Sequence, residues 1–462
     1  MLKGIKSIHF IGIGGVGMSG LAKVLLNMGH QISGSDVKLN PLTKDLAMRG
    51  ADIHQGHHPS YVGKANLVVT SSAISSHNPE LLEAKKKKIP VVPRGTLLAY
   101  LINKSEGIIV AGTHGKTTTT SLICSVLDED DKDPTMFIGG EFNAIGGNSK
   151  LGKGEWVVAE SDESDGSFLL IRPKISVLTN LEDDHLDYYG SRGKIRRAFL
   201  QFAQKLKPGG TLIVNKDDPN LRDLLAKVQL SSSQKIITFG TKSPADLLAK
   251  QITLEGFSSF YTPIYRDKLL GKVRIPLPGE YNVYNSLGAI ATALALDIPW
   301  KSIKKAILSF GGIKRRFECI GKTSSNILVV DDYAHHPTEI KAILKAARRL
   351  KRRVVAVFQP HRYSRTKILL IKFTHAFREA DILLLTPIYP AGEAPIPGID
   401  GKILFERVRE TRGKDTYYFS SEEKILNFLE DRSKEGDLII TLGAGDIGRI
   451  GRKFLRRSFL SY

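Results

Sequence analysis

The run AGTHGKTTTT (Ala111–Thr120) sets glycines, a lysine and hydroxyl side chains at the spacing that holds a polyphosphate. Glycines let backbone N–H groups approach an anion, and a helix starting just after them adds partial positive charge. Gly112, Thr113, His114, Gly115, Lys116, Thr117 and Thr118 form the candidate loop. Lys116 reaches β- and γ-phosphates there, and Thr117 offers its hydroxyl to Mg²⁺. The pattern G-x-x-x-x-G-K-[ST] is met incompletely, because Val110 stands at the first glycine position, so the loop reads as a shortened variant. ESDESDGSF (Glu160–Phe168) supplies carboxylates, and Mg²⁺ takes oxygen ligands; Glu160, nearest the preceding apolar run, is the preferred one. A solvated acidic turn is the alternative for that stretch. His185, within NLEDDHLDYYG, is an uncommon kind of Mg²⁺ ligand and by chemistry alone reads as a capping or structural residue.

A second glycine turn, GIGGVG, places Gly12, Gly14, Gly15 and Gly17 ahead of Asp36. This is the dinucleotide fingerprint, yet GAGDIG (Gly443–Gly448) fits it equally well. Its physical content is a backbone that comes close to a diphosphate. A nicotinamide enzyme would also need a hydride-transfer site, and no other residue group points to one. Asn282 and Asn285 lie three apart on one helix face, where amides can donate to and accept from an adenine edge; N-capping is the alternative. IKRRFE (Ile313–Glu318), DDYAHHPTE (Asp331–Glu339) and QPHRYSRT (Gln359–Thr366) gather arginines and histidines, and arginine forks suit phosphates and carboxylates.

These groups need elements to carry them, and the chain supplies strand and helix in alternation. SIHFIGI, IIVA, WVVAE, ISVLTN, NILVVDDY, RRVVAVFQP and DLIITLGAG are apolar runs that end where the chemistry begins. The class is therefore α/β with mainly parallel sheets, whose ligands sit beyond the carboxyl ends of strands. Pro337 opens a helix that carries Ile340, Ile343, Leu344, Ala347 and Leu350 on one face. At 462 residues the chain is long enough for about three domains. Shifts of pattern divide it into 1–105, 106–313 and 314–462.

The net charge of +20 suits phosphate ligands, and no aromatic-interleaved basic stripe marks a nucleic-acid surface. Lys85–Lys88, Arg348–Arg353 and the C-terminal cations read as solvated helix surfaces or ends. Cys124 and Cys319 lack metal spacing and, beside apolar residues, read as buried structural thiols. With no signal-peptide pattern and no apolar run of about 20 residues, the expected location is the cytoplasm.

Taken together, GIGGVGMSG, SGSD, SSAI, GTHGKTTTT, AESDESDGSF, TNLEDDHLDYYG, DDYAHHPTEI, QPHRYSRT and YPAGEAPIPG resemble the Mur ligases, in the family's order and over nearly the whole chain. The resemblance implies two Rossmann-like domains flanking a central P-loop ATPase domain. It implies ATP and Mg²⁺ as cofactors, with UDP-N-acetylmuramate and L-alanine as substrates joined through an acyl phosphate. Carried over by position, Lys116, His335 and Arg362 are catalytic. Thr117, Glu160 and His185 hold metal, and Asn282, Asn285, Arg316 and Asp332 serve the nucleotide. Gly12–Gly17, Asp36, Ser72, His361 and Arg362 serve the uridine-linked substrate. The family's usual histidine before the first asparagine is Tyr281 here. The modified lysine of later-acting members has no counterpart near Phe199–Leu200.

Overall fold

The computed structural model describes residues 1–182, 186–413 and 415–460. It contains three sheets and divides into two compact units. The first unit comprises residues 1–250, 262–273 and 284–311; the second comprises 251–261, 274–283 and the chain from Gly312 onward.

In the first unit, five parallel strands lie in the order Asp52–Gln55, Gln31–Asp36, Ser7–Ile11, Leu67–Thr70, Val91–Pro93. Ile8, Phe10, Val68 and Val69 are wholly buried, as expected of central parallel strands covered on both faces. Strand order reverses between Ser7–Ile11 and Leu67–Thr70, so the loops after these two strands flank the crevice where such sheets take ligands. The larger sheet runs Lys235–Gly240, Thr211–Asn215, Ile175–Leu178, Glu106–Ala111, Trp156–Glu160, Thr135–Phe142, Gly147–Lys150. All of these pairs are parallel except the last. The phosphate-loop strand is thus central, between the strands that end at Glu160 and Leu178. Leu247–Glu255, Ser258–Tyr265 and Lys268–Leu269 extend this sheet, the last two as an antiparallel pair outside the expected alternation.

The second unit holds a sheet ordered Glu318–Lys322, Leu328–Asp332, Leu438–Leu442, Val354–Phe358, Ile382–Leu385, Thr416–Tyr418, parallel apart from its first strand. Successive residues feed opposite faces. Val330, Ala356, Phe358 and Ile440 pack with Ile340, Leu344, Ala347 and Phe373, whereas Val329, Val357 and Ile439 pack with Leu429, Ile450 and Phe454. Helix Pro337–Arg348 begins with a capping box: His336 Nδ1 accepts from Thr338 N–H, and Glu339 accepts from His336 N–H. Proline at its first position completes the start signal.

Two expectations are corrected. Cys124 is buried, but Cys319 is exposed, because its edge strand has only one neighbour to cover it. Arg353 is not a solvated helix end; its guanidinium pairs with buried Asp437 at 2.6 Å. Arg457, Arg449 and Lys453 pair with Glu423 and Glu422. No helix among the described residues is long and apolar enough to cross a membrane.

Beneath the first sheet lies a wholly buried carboxylate, Glu80. Its Oε2 accepts from Ser35 Oγ at 2.6 Å and lies 3.0 Å from His9 Nε2, while its Oε1 accepts from His58 N–H at 3.1 Å. Burial works against its charge, but hydrogen bonds from His9 and Ser35 outweigh that and hold the carboxyl below its ordinary range. A lowered folded value contributes stability above the unfolded pKa of about 4.3, lost as pH falls through the folded value. Glu80→Ala leaves His9, Ser35 and an amide without their acceptor and is expected to cost about 3 kcal/mol. Urea unfolding at pH 7 checks this, and a loss below about 0.5 kcal/mol would remove the network from the fold's support.

Candidate active site

Strand Glu106–Ala111 leads into Gly112–Gly115, and helix Lys116–Glu129 follows at once. Gly115 caps that helix at φ 81°, a left-handed conformation that glycine adopts without strain. The loop is pinned from the neighbouring strand end. Asn180 Oδ1 accepts from His114 N–H at 2.8 Å, its carbonyl accepts from Thr113 N–H at 3.1 Å, and its amide donates to the His114 carbonyl at 2.9 Å. Thr179 Oγ1 donates to the same carbonyl at 2.7 Å.

Lys116 Nζ, inside this cradle, donates to the carbonyls of Gly112 and Thr113 and to Glu163 Oε1 at 2.6 Å. Burial alone would lower its pKa, but the charge of Glu163 prevails and raises it, so the amine stays an ammonium. Glu163 and Asn180 belong to motifs that the sequence marks for metal, but it assigns neither of them a partner.

Thr117 Oγ1 donates to Glu160 Oε2 at 2.9 Å. A Cβ at Gly139 would collide with Glu160 Oε1, so that glycine keeps room for the carboxylate. A hydroxyl and a carboxylate are hard oxygen donors of the kind Mg²⁺ takes, and they fit the ion. His185 lies outside the described residues. Thr118 is buried in the first helical turn. Asn285 Oδ1 accepts from Thr119 Oγ1 at 3.4 Å and would meet any Cβ at Gly115, which places it against the loop's cap. Asn282, in the second unit, donates its amide to the Pro278 carbonyl at 2.8 Å and ties down the start of its helix.

At the first glycine turn, the Ser35 carbonyl accepts from Gly12 and Ile13 N–H, Asp36 Oδ2 accepts from Gly14 N–H at 2.8 Å, and Asn40 donates to the Gly14 carbonyl at 2.9 Å. Asp36 therefore braces the turn itself. Gly15 caps helix Val16–Asn27. Ser72 is exposed in the adjacent loop after Leu67–Thr70. Arg94, at the start of helix Arg94–Asn103, lies with its guanidinium over Gly17 and pairs with Asp162 at 2.7 Å.

The second unit gathers its own group where the strands ending at Asp332, Leu442 and Phe358 finish. Arg315 (φ 61°) and Arg362 (φ 70°) are held in the left-handed region, strain of the kind that collects at functional sites. Arg315 turns inward to buried Asp331 at 3.2 Å, whereas Arg316 lies over the Tyr333 ring, 5.2 Å from its centroid. Asp332 accepts from Phe317 and Ala334 N–H, yet burial pushes its carboxyl up to about 7 against the pull of Arg316. His335 Nδ1 lies 3.0 Å from the Tyr333 carbonyl, its ring 5.8 Å from that of His361. His361 stacks on Tyr389, and Arg365 Nη1 donates to its Nδ1 at 3.2 Å. Arg362 Nε is buried and makes no hydrogen bond, an orphaned donor suited to an anion.

Residues 7–106, 110–293 and 315–445 match, in turn, the Mur ligase family catalytic domain, the Mur ligase middle domain and the Mur ligase glutamate ligase domain. The chain belongs to the Mur ligase family. It is 46% identical to a UDP-N-acetylmuramate–L-alanine ligase of Geobacter sp. (strain M21), over 98% of each chain. Among solved structures it is similar to the UDP-N-acetylmuramate–alanine ligase MurC of Thermotoga maritima, 28% identical with a TM-score of 0.85 over 99% of this chain and 100% of that one. A murein peptide ligase of Psychrobacter arcticus is 26% identical with a TM-score of 0.73 over 98% of each.

Burial, and then the cations His335, Arg365, Arg362 and Arg315, depress His361 to about 3. The unfolded chain then binds a proton that the folded chain refuses. This residue's contribution to stability therefore rises with pH from about 3 to about 6.5. The His361 imidazole is expected to give no NMR titration between pH 5 and 8; a midpoint above 5 contradicts the neutral ring.

Proposed function

We propose that this chain joins L-alanine to the lactyl carboxylate of UDP-N-acetylmuramate at the expense of ATP, a step in building peptidoglycan precursors in the cytoplasm. The observation that carries the reading is the buried ammonium of Lys116 in its pinned loop, next to the Thr117–Glu160 oxygen pair. Full-length similarity to ligases of that name supports the choice of substrates. We place the domain breaks near residues 105 and 313, consistent with strands that start at Glu106 and Glu318.

A carboxylate is a poor acyl donor because its leaving group would be oxide. Its oxygen therefore attacks the γ-phosphorus of ATP, the bond to the β-phosphate oxygen breaks, and ADP leaves with that electron pair. Alanine's neutral amine then attacks the acyl carbon, phosphate departs, and the amine gives up its proton. Such chemistry depends on position and neutralised charge. Lys116 meets the γ-phosphate, and Gly112–Thr118 present N–H groups to the chain of phosphates. Thr117 and Glu160, with His185 as a further candidate, would hold Mg²⁺, which neutralises phosphate charge when bound. Gly12, Gly14, Gly15, Gly17, Asp36 and Ser72 serve the uridine diphosphate. Asn282, Asn285, Arg316 and Asp332 serve the nucleotide, and His335, His361 and Arg362 meet the reacting groups.

Phosphate release is expected only when UDP-N-acetylmuramate and L-alanine are both present. Preferential turnover of a ready-made tripeptide would instead assign the chain to the murein peptide ligase reaction. Lys116→Ala is expected to keep its fold by circular dichroism and lose at least about 100-fold in turnover. Wild-type turnover in the folded variant would remove Lys116 from the mechanism.

A further inference from the structure

Consecutive residues of one segment hold the cations of both glycine turns in the first unit. Asp162 Oδ2 accepts from Arg94 Nη2 at 2.7 Å, and Glu163 Oε1 accepts from Lys116 Nζ at 2.6 Å. Arg94 heads helix Arg94–Asn103, and its guanidinium covers Gly17 in the first turn of helix Val16–Asn27; a Cβ there would lie 3.0 Å from Nη1. The segment itself is built for this double duty. Ser164 N–H and Oγ donate to Asp162 Oδ1, and Tyr189 Oη donates to the Glu163 carbonyl at 2.7 Å. Ser167 packs so tightly on Gly95 that a Cβ at residue 95 would collide with it.

A lysine ammonium has three protons, and Gly112 O, Thr113 O and Glu163 account for three acceptors. A phosphate oxygen that binds Nζ must replace one of them. The carbonyls belong to the loop that encloses the phosphate, so the carboxylate, which repels the newcomer, is the group that yields. Arg94 faces the same exchange, because an anion at the start of helix Val16–Asn27 meets the guanidinium with Asp162 as a like-charged neighbour.

We propose that Asp162 and Glu163 are positioning residues forming one exchangeable counter-ion arm. They hold Arg94 and Lys116 toward their glycine turns and yield together when phosphates arrive, so each nucleotide ligand tightens the binding of the other. The cost of moving the arm falls on whichever ligand binds first, and the second is spared it. This inference rests on the reading above, in which the uridine diphosphate occupies the first turn and ATP the second.

The test titrates the full chain calorimetrically with UDP-N-acetylmuramate, with and without a non-hydrolysable ATP analogue and Mg²⁺. The wild type is expected to bind at least about threefold tighter with the analogue, and the analogue to gain the same factor from the sugar nucleotide. Asp162→Asn and Glu163→Gln are each expected to bring that ratio close to one. A merely structural role would lower affinities or the melting temperature and leave the ratio alone. A wild-type ratio of one, or a ratio unchanged in both variants, overturns the arm. If either variant melts early, Arg94→Lys probes the arm from its cationic side, and an unchanged ratio there overturns it as well. A wild type that binds no UDP-N-acetylmuramate at all refutes the functional reading, an outcome distinct from binding both ligands without coupling.

Discussion

A lysine that must meet a phosphate while enclosed by protein needs acceptors around its ammonium, or burial would strip its charge. Gly112, Thr113 and Glu163 provide them for Lys116, and much of the first unit follows from that requirement. Carbonyls can point inward only if the loop turns sharply, which sets Gly112 at φ 139° and Gly115 at φ 81°. A loop so contorted has few hydrogen bonds of its own, so Thr179 and Asn180 must supply them from the next strand. That strand is the parallel neighbour of Glu106–Ala111, in register from Ile108 to Ala111, which brings residues 179 and 180 level with the loop.

The second unit solves the opposite electrostatic problem. Its strand ends collect arginines and histidines, and burial decides which of them carry charge. His361 accepts from Arg365 and gives up its proton, while the Asp332 carboxyl is pushed toward its neutral form near pH 7. Arginine alone keeps its charge under such desolvation. The arginines thus keep the group cationic, and its net positive charge falls as Asp332 ionises near pH 7.

Much of this was legible in the chain because it is local. A strand, a glycine turn and a helix start occupy the eighteen consecutive residues Gly107–Cys124, and Pro337 with His336 and Glu339 spells a helix start within four. The partners were not legible, because they come from far along the chain. Glu163 lies 47 residues from Lys116, Asn180 lies 66 from His114, and Asp162 lies 68 from Arg94. Parallel register brings Glu163 and Asn180 level with the loop, whereas Arg94 reaches Asp162 from the head of a helix that follows a strand of the other sheet. Cys319 misled for a related reason. Its apolar neighbours mark a strand, but only the sheet order shows that this strand is an edge. The placement of His185 lies outside the described residues, so its role rests on resemblance.

The glycines also acquire a second meaning. A fingerprint such as GIGGVG is read as backbone that comes close to a diphosphate, with each missing side chain making room for the ligand. Here much of that room is taken by the protein's own side chains. The space beside Gly14 holds Asp36 and Asn40, that beside Gly17 holds Arg94, that beside Gly115 holds Asn285, and that beside Gly139 holds Glu160. Gly15 alone in the first turn has nothing nearer than 3.7 Å to its missing Cβ, which leaves it the position most open to a ligand. Replacing Gly17 by alanine would therefore press on the guanidinium before it touched any phosphate. The same holds at Gly139, where an added methyl would meet the carboxylate of Glu160. Glycine spacing here thus records where polar and charged side chains must enter, and the ligand is met by those groups as much as by the bare backbone.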